Sequence, residues 1–509
     1  MTPSRGPLLG ALILALATTV AAQESDQPKT KSYRIFGQLT TLFERNQTGP
    51  EPNQPNRLEY SKFKQLASFN IEWKKISIGA QAEYLYWSVP EENRDRLDFD
   101  RLRDGFELRR YFLDYQSGLF SGRLGTTFAS FGRGLTLYVQ KNEALQFDEP
   151  IHGASARLNL EHFDISALWG KVSEPVQQAQ FGREFEDEVM GGRIRARLPL
   201  DLYLGGSAVR AELERPFPVM VGDRLVTDDT VEVWAVEAGG TSLWGVLDLA
   251  GEFSEIKKIE PNRVTEGHGR YVSAAAYVGP VSILAEYKDY YNFAYRYNLP
   301  PNAGRANEAY EHNDVKGPRL VVSADFWSIG SLLHASYGEF NTQKTATSPG
   351  GTFGDHQIEW YAGIEQTIGR VYFEGSYFDR SFTDRKLDET HTLADLHVTV
   401  GKSGEIILGY DQRLEESQYA RLDTTRSFLG YSLSPWGTVS LRYSFEDSAS
   451  PVRDEFDDFW GVEIQYLPRP TIIVTVFVGG DPGGLVCAGG QCRQEPRFEG
   501  YRANFTWRF

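Results

Sequence analysis

The sequence predicts an all-β protein: a transmembrane, antiparallel, up-and-down β-barrel of about 24 strands, within two either way, with no separate plug domain. Three observations carry this. Apolar residues recur with a period of two, short turns alternate with long polar connections, and tryptophans collect at two levels of the strands so defined.

The period is plainest at 438–446, where Val439, Leu441, Tyr443 and Phe445 alternate with Thr438, Ser440, Arg442, Ser444 and Glu446. A strand sends successive side chains to opposite faces, so one face here is greasy and the other hydrophilic. Residues 61–74, 247–253 and 501–509 read the same way. Tight turns fall at 74–75, 161–162, 199–201, 279–280 and 435–437, and longer polar connections at 45–58, 90–105, 215–229, 291–316, 341–355 and 447–455. A soluble sandwich has no reason to sort its connections by length. An outer-membrane barrel does, with tight periplasmic turns and long external loops. Trp73, Trp244, Trp327, Trp436 and Trp507 fall on the turn side, and Trp87, Trp169, Trp360 and Trp460 toward the loops. Indole favours the boundary between hydrocarbon and headgroup, so two girdles are expected.

The first residues set the compartment. Arg5, an apolar run over 8–20 and the small residues Val20, Ala21 and Ala22 read as a secretory signal peptide at 1–22. Residues 23–31 then form a short periplasmic segment and 32–509 the barrel. Both termini are expected in the periplasm of a Gram-negative-type bacterium. Later in the chain no stretch approaches 18 consecutive apolar residues, so membrane-spanning helices are not expected. A net charge of −16 argues against nucleic acid, whose phosphates need clustered Lys and Arg. The expected partners are outer-membrane lipid, lipopolysaccharide and, during biogenesis, the barrel-assembly machinery.

Hydrophilic-face positions become lumen wall. The candidate lining residues carry both signs of charge: Arg110, Arg193, Arg195, Arg197, Arg210, Glu212, Asp248, Glu286, Lys288, Glu374, Asp411, Arg442 and Arg502. Such residues pair with one another to hold the wall in shape, or form charge rings that tune selectivity. One connection is unusual. Residues 131–150 carry Leu135, Leu137, Tyr138, Val139, Leu145 and Phe147, more apolar surface than an external loop needs. Either the strand runs on past the membrane, or the segment bends at Gly132 and Gly134 into the lumen. The second reading makes Phe131, Arg133, Leu135, Tyr138, Lys141 and Glu143 a candidate constriction.

Enzyme motifs are absent: there is no G-x-S-x-G, no H-E-x-x-H and no Gly-rich phosphate loop. His391 and His397 share a strand face with Asp395 between them, but at roughly 20 Å they stand too far apart for one metal. No enzymatic activity, cofactor or metal is therefore expected.

The chain closes on an alternating segment in which Phe505, Trp507 and Phe509 share a face, an arrangement that resembles the signal read by the barrel-assembly machinery. Before it stand the only two cysteines, Cys487 and Cys492, in a glycine-rich loop. An exported protein meets an oxidising periplasm, so a disulfide between them is expected, stabilising by roughly 2 kcal/mol. The stretch FASFGRGLTLYVQKNE at 128–143, with GGLVCAGGQCR and PRFEG at 483–500 ahead of a final Arg-Phe, resembles a family of large bacterial outer-membrane barrels catalogued as a domain of unknown function. The resemblance implies an outer-membrane location and carries no activity or site residues with it.

The leading functional expectation is a porin-like channel or exporter for hydrophilic or amphiphilic solutes, its lumen narrowed by 131–150. The alternative is a non-conducting structural or assembly component of a secretion or surface-polymer system, with a periplasmic partner. A hydrolase assembled from Ser, His and carboxylate residues of distant strands comes third.

Overall fold

A strand leaves a row of unpaired N–H and C=O groups on each edge, and in a membrane nothing but another strand can satisfy them. The computed structural model meets this demand with a single closed sheet of 24 strands, running from Tyr33–Asn46 to Phe498–Arg508. It describes residues 33–47, 59–89, 105–139, 141–142, 147–148, 150–173, 186–221, 224–302, 314–342, 355–384, 386–449, 454–488, 491–495 and 497–509. The expected signal peptide, 1–22, and the expected periplasmic segment, 23–31, lie outside the described residues, as does Glu143. Each strand of the ring pairs antiparallel with its neighbours in the chain. The seam closes where Tyr33–Asn46 meets Phe498–Arg508, in a register from Gln38↔Arg508 to Asn46↔Gly500. There Gly37 donates its N–H to the Phe509 carbonyl at 2.8 Å, and Phe509 donates back to Gly37 at 3.0 Å. Every strand of the ring thus has a partner on both sides.

With an even number of strands, the first begins and the last ends at the same end of the ring. That end carries the short turns at 74–75, 279–280, 369–370 and 470–471. The opposite, loop end carries the connections at 128–150 and 292–314.

Partners across a ladder share a face, which sorts the wall into outside and inside. The outer face exposes a continuous apolar surface, including Ile78, Leu124, Ile194, Leu204, Val236, Leu320, Leu408 and Leu441. Trp73 and Trp507 lie on it near the turn end, Trp244, Trp327 and Trp436 sit at the turns, and Trp169, Trp360 and Trp460 face outward toward the loops. Trp87 departs from the expected girdle. It pairs across the ladder with Lys62, whose ammonium stands 4.7 Å from its ring centroid, on the inner face.

Two further expectations are corrected. Residues 215–229 do not form a loose loop: Leu202–Val221 and Arg224–Leu243 run on as a long hairpin, with a register shift between Glu214 and Val219. Within this wall Arg210 and Glu212 point outward, sharing a face with Trp169, Met190 and Trp234. The inward positions between and beside them are Val209, Ala211 and Leu213. The usual rule of charge inside and grease outside is inverted here because the inner face of these strands is covered by protein rather than water.

The cysteine segment forms its own hairpin, Gly484–Ala488 with Gln491–Glu495, whose register sets Cys487 opposite Cys492.

Candidate functional site

The covering element is the segment after Phe120–Thr127. Instead of entering the next wall strand directly, the chain turns into the lumen. Gly132 and Gly134 make that turn, with φ of 61° and 88°. Both are also closely approached: a Cβ on Gly132 would lie 2.0 Å from Glu252 Oε1 and would displace that carboxylate, and one on Gly134 would lie 2.4 Å from the Leu299 carbonyl, which is backbone. Across the turn, Ala129–Phe131 pairs with Leu137–Val139 as a small hairpin. Phe131, Leu135, Leu137 and Val139 are almost wholly buried, against inner-wall residues such as Val189, Val209, Val233 and Ile256. Burial of such side chains stabilises by about 1.5–3 kcal/mol each, so the apolar excess noted in the sequence holds this hairpin to the wall.

A second segment, 292–302, completes the insert. Tyr138 donates its N–H to the Tyr297 carbonyl at 2.7 Å, and Leu299 donates to Gly134 at 3.1 Å. The Tyr295 hydroxyl donates to the Thr136 carbonyl at 2.5 Å. Burial pushes that phenol far above its ordinary range, so it remains a donor. Phe293 and Tyr297 join the same apolar cluster.

Polar bonds tie the insert to the barrel. Asp187, on wall strand Glu186–Arg197, has no solvent exposure and accepts from Arg296, from the Tyr297 hydroxyl at 2.5 Å and from the Glu214 N–H at 2.8 Å. Glu252 Oε2 accepts the Arg133 N–H at 2.7 Å, and the Arg133 guanidinium lies 5.1 Å from the Tyr271 ring centroid. Thr136 and Ser207 share a hydroxyl contact of 2.7 Å. Of the candidate constriction residues, Phe131, Arg133, Leu135 and Tyr138 therefore lie in the insert, while Lys141 is described by its backbone pairing with Asp148.

The insert occupies the loop half of the lumen on one side. Around and beyond it the inner wall is a lattice of ion pairs and hydrogen bonds. Arg193 and Arg195 both hold Glu237, with shortest contacts of 2.7 Å each. Arg110 lies 5.3 Å from the Phe128 ring centroid, and Arg197 bonds Asn159 and the Leu160 carbonyl. Asp248 accepts from the Ser242 N–H and the Tyr277 hydroxyl. Glu286 accepts from Tyr271 at 2.6 Å and pairs with Lys288 at 3.3 Å. On the far side Glu374 accepts from Tyr372, Asp411 meets His391 at 2.7 Å, Arg442 pairs with Glu463 and Arg502 with Glu44. Arg210 and Glu212 pair with each other at 3.0 Å on the outer face.

Among the described residues no group of three or more His, Cys, Asp or Glu could hold a metal ion. Among the described residues, Ser323, His334 and Glu365 stand in an order that resembles a hydrolytic triad. Serine Oγ lies 2.9 Å from His334 Nδ1, but His334 Nε2 stands 3.8 Å from Glu365, beyond hydrogen-bond reach. Ser323 also sits mid-strand, paired on both flanks, so backbone N–H groups that could form an oxyanion hole are turned into the ladder.

Sequence reasoning missed the 292–302 segment, and with it Arg296 and Tyr297. Its signal was present: Phe293, Tyr295, Tyr297 and Leu299 alternate in a connection that resembled the other polar loops only in its flanks.

A closed 24-strand ring with an apolar outside, a charged inside and an internal insert is an outer-membrane-type β-barrel. The chain belongs to the family of unknown function DUF6029, whose profile matches residues 8–308, more than half of its length. No curated protein matches the sequence. In fold it is similar to the copper transporter OprC, with a TM-score of 0.50 and 8% identity over 95% of this chain and 82% of that one. The siderophore receptor PirA from Acinetobacter baumannii gives 0.50 and 8% over 95% and 81%. The translocation pore of the P pilus usher PapC gives 0.48 and 10% over 93% and 99%. At these identities the likeness is one of fold.

Proposed function

We propose that the protein is an outer-membrane channel, of porin or exporter type, that passes hydrophilic or amphiphilic solutes through a lumen narrowed by the 131–150 segment. The observation that carries this reading is the contrast between the two sides of the inner wall. Under the insert the wall is buried, its apolar side chains packed and its carboxylates, Asp187 and Glu252, bonded to the insert. Across the ring, inward charges keep solvent access in the company of the other described residues: the side chains of Asp411, Arg442 and Arg502 are 41%, 43% and 44% exposed. Paired, hydrated charges along a wall suit a polar path, and selectivity then follows from the sign met at the narrowest level. The short turns and both chain ends face the periplasm in this reading, the long connections face outward, and a disulfide between Cys487 and Cys492 restrains the last external loop.

Planar-bilayer recording tests the proposal. The full chain should give stepwise conductance, and a chain lacking residues 131–150 a larger step. Absence of conductance from both proteins, each inserted in the bilayer, overturns it.

A further inference from the structure

Between the insert and the turn end lies a recess of about 330 Å³, bounded by the wall strands Phe120–Thr127, Ile151–Asn159, Phe163–Ser173 and Glu186–Arg197. Three arginines line it: Arg123, Arg157 and Arg193. Ladder register brings them together. Arg157 pairs with Ser166, which pairs with Arg193, while Arg123 stands opposite Ser155 on the neighbouring strand. Strands are about 4.8 Å apart, so these side chains share one patch of inner wall.

All three are built alike. Arg123 sets Nε and Nη2 on Asp114, both at 2.5 Å. Arg157 sets Nε and Nη2 on Asp164, and Arg193 sets the same two on Glu237 at 2.7 and 3.0 Å. The carboxylates are sunk in the wall: the side chains of Asp114, Asp164 and Glu237 are 12%, 13% and 8% exposed, against 32%, 59% and 19% for their arginines. In every case the acid occupies one edge of the guanidinium, and Nη1 has no hydrogen-bond partner among the described residues. A solute entering the recess therefore meets guanidinium N–H groups, with the balancing negative charge behind them. The Ser130 and Ser166 side chains border the same space, and Phe128 and Phe131 of the insert close one side.

We propose that this recess is a binding site for small anions, recognising a carboxylate or phosphate group through the unused edges of Arg123, Arg157 and Arg193. A planar guanidinium offers five donors in a fixed fork and cannot lose its charge, which suits both oxyanions. The sunken acids hold the forks in place, so little side-chain entropy is lost on binding. The site does not depend on conduction, since a closed barrel could hold it equally.

The test is line broadening of ³¹P-phosphate and ¹³C-acetate by the detergent-purified full chain at low ionic strength. Saturable broadening is expected for one or both probes, and the stronger names the group recognised. Arg157→Gln should reduce it at least five-fold, Arg157→Lys by less, and Arg210→Gln, a charge loss on the outer face, should leave it unchanged. Retention of heat-modifiable gel migration confirms that each variant is folded. If Arg157→Gln fails that check, Arg157→Lys against Arg210→Gln decides. No saturable broadening of either probe overturns the proposal, as does an equal loss in Arg210→Gln.

Discussion

Replacing Asp187 by alanine is expected to release the insert from the wall. Asp187 is fully buried and gathers Arg296, Tyr297 and the Glu214 N–H onto one carboxylate. Removing one partner of a buried ion pair costs about 3–5 kcal/mol, because the other charge is left without compensation. Arg296 keeps 18% of its side-chain surface exposed and can turn toward water, which places the expected cost near the lower end, about 3 kcal/mol. The loss falls mainly on the contact between insert and wall: within the wall it frees only the Glu214 N–H, just past the last ladder pair, Glu188↔Glu212. At 1.4 kcal/mol per decade, the released population rises roughly 100-fold. Hydrogen exchange reads it directly. The Arg133, Tyr138 and Leu299 amides, which bond within the insert or to Glu252, should exchange about 100-fold faster at unchanged ladder protection. Unchanged protection at all three would refute the reasoning. So would equal acceleration throughout the ring, which would make Asp187 a support of the barrel rather than of the insert.

Other outcomes follow from the same geometry. Gly134→Val should also release the insert without changing charge, because φ is 88° and a Cβ would stand 2.4 Å from the Leu299 carbonyl. The backbone strain alone is about 1–2 kcal/mol, while Gly118→Val, where nothing lies within 4 Å, should leave exchange at Leu299 as it was. Mass spectrometry of the exported protein should find no free thiol at Cys487 or Cys492, and Cys487→Ser should lower resistance to denaturant by roughly 2 kcal/mol; two free thiols would remove the basis of that expectation. Deleting Phe509 removes the backbone exchange with Gly37 at the seam, and should lower the yield of heat-modifiable barrel in the outer membrane.

Much of the barrel was legible because strand periodicity is a local property. The alternation of Val439, Leu441, Tyr443 and Phe445 with Thr438, Ser440, Arg442 and Ser444 needs no knowledge of the rest of the chain. The turn into the lumen was also written locally, in Gly132 and Gly134 and in the apolar residues after them. What was not legible is what a strand faces. Arg210 and Glu212 look like lumen residues on the rule that charge points inward, yet Val209 and Ala211 take the inner face because Phe131, Leu135, Leu137 and Val139, far earlier in the chain, cover it. Likewise the role of Asp187 rests on Arg296 and Tyr297, whose approach depends on the path of 292–302 and leaves no mark near Asp187 itself. The arginine recess was half visible: Arg193, Arg195 and Arg197 stand out as inward cations, whereas Arg123 and Arg157 acquire meaning only once the ladder sets them beside Arg193.

Solute efflux from proteoliposomes tests the central proposal most directly, by comparing wild type with Asp187→Ala across neutral sugars of increasing size. A channel narrowed by its insert predicts that wild type passes monosaccharides and that the variant admits larger oligosaccharides. Efflux from neither protein above that of empty liposomes would contradict it.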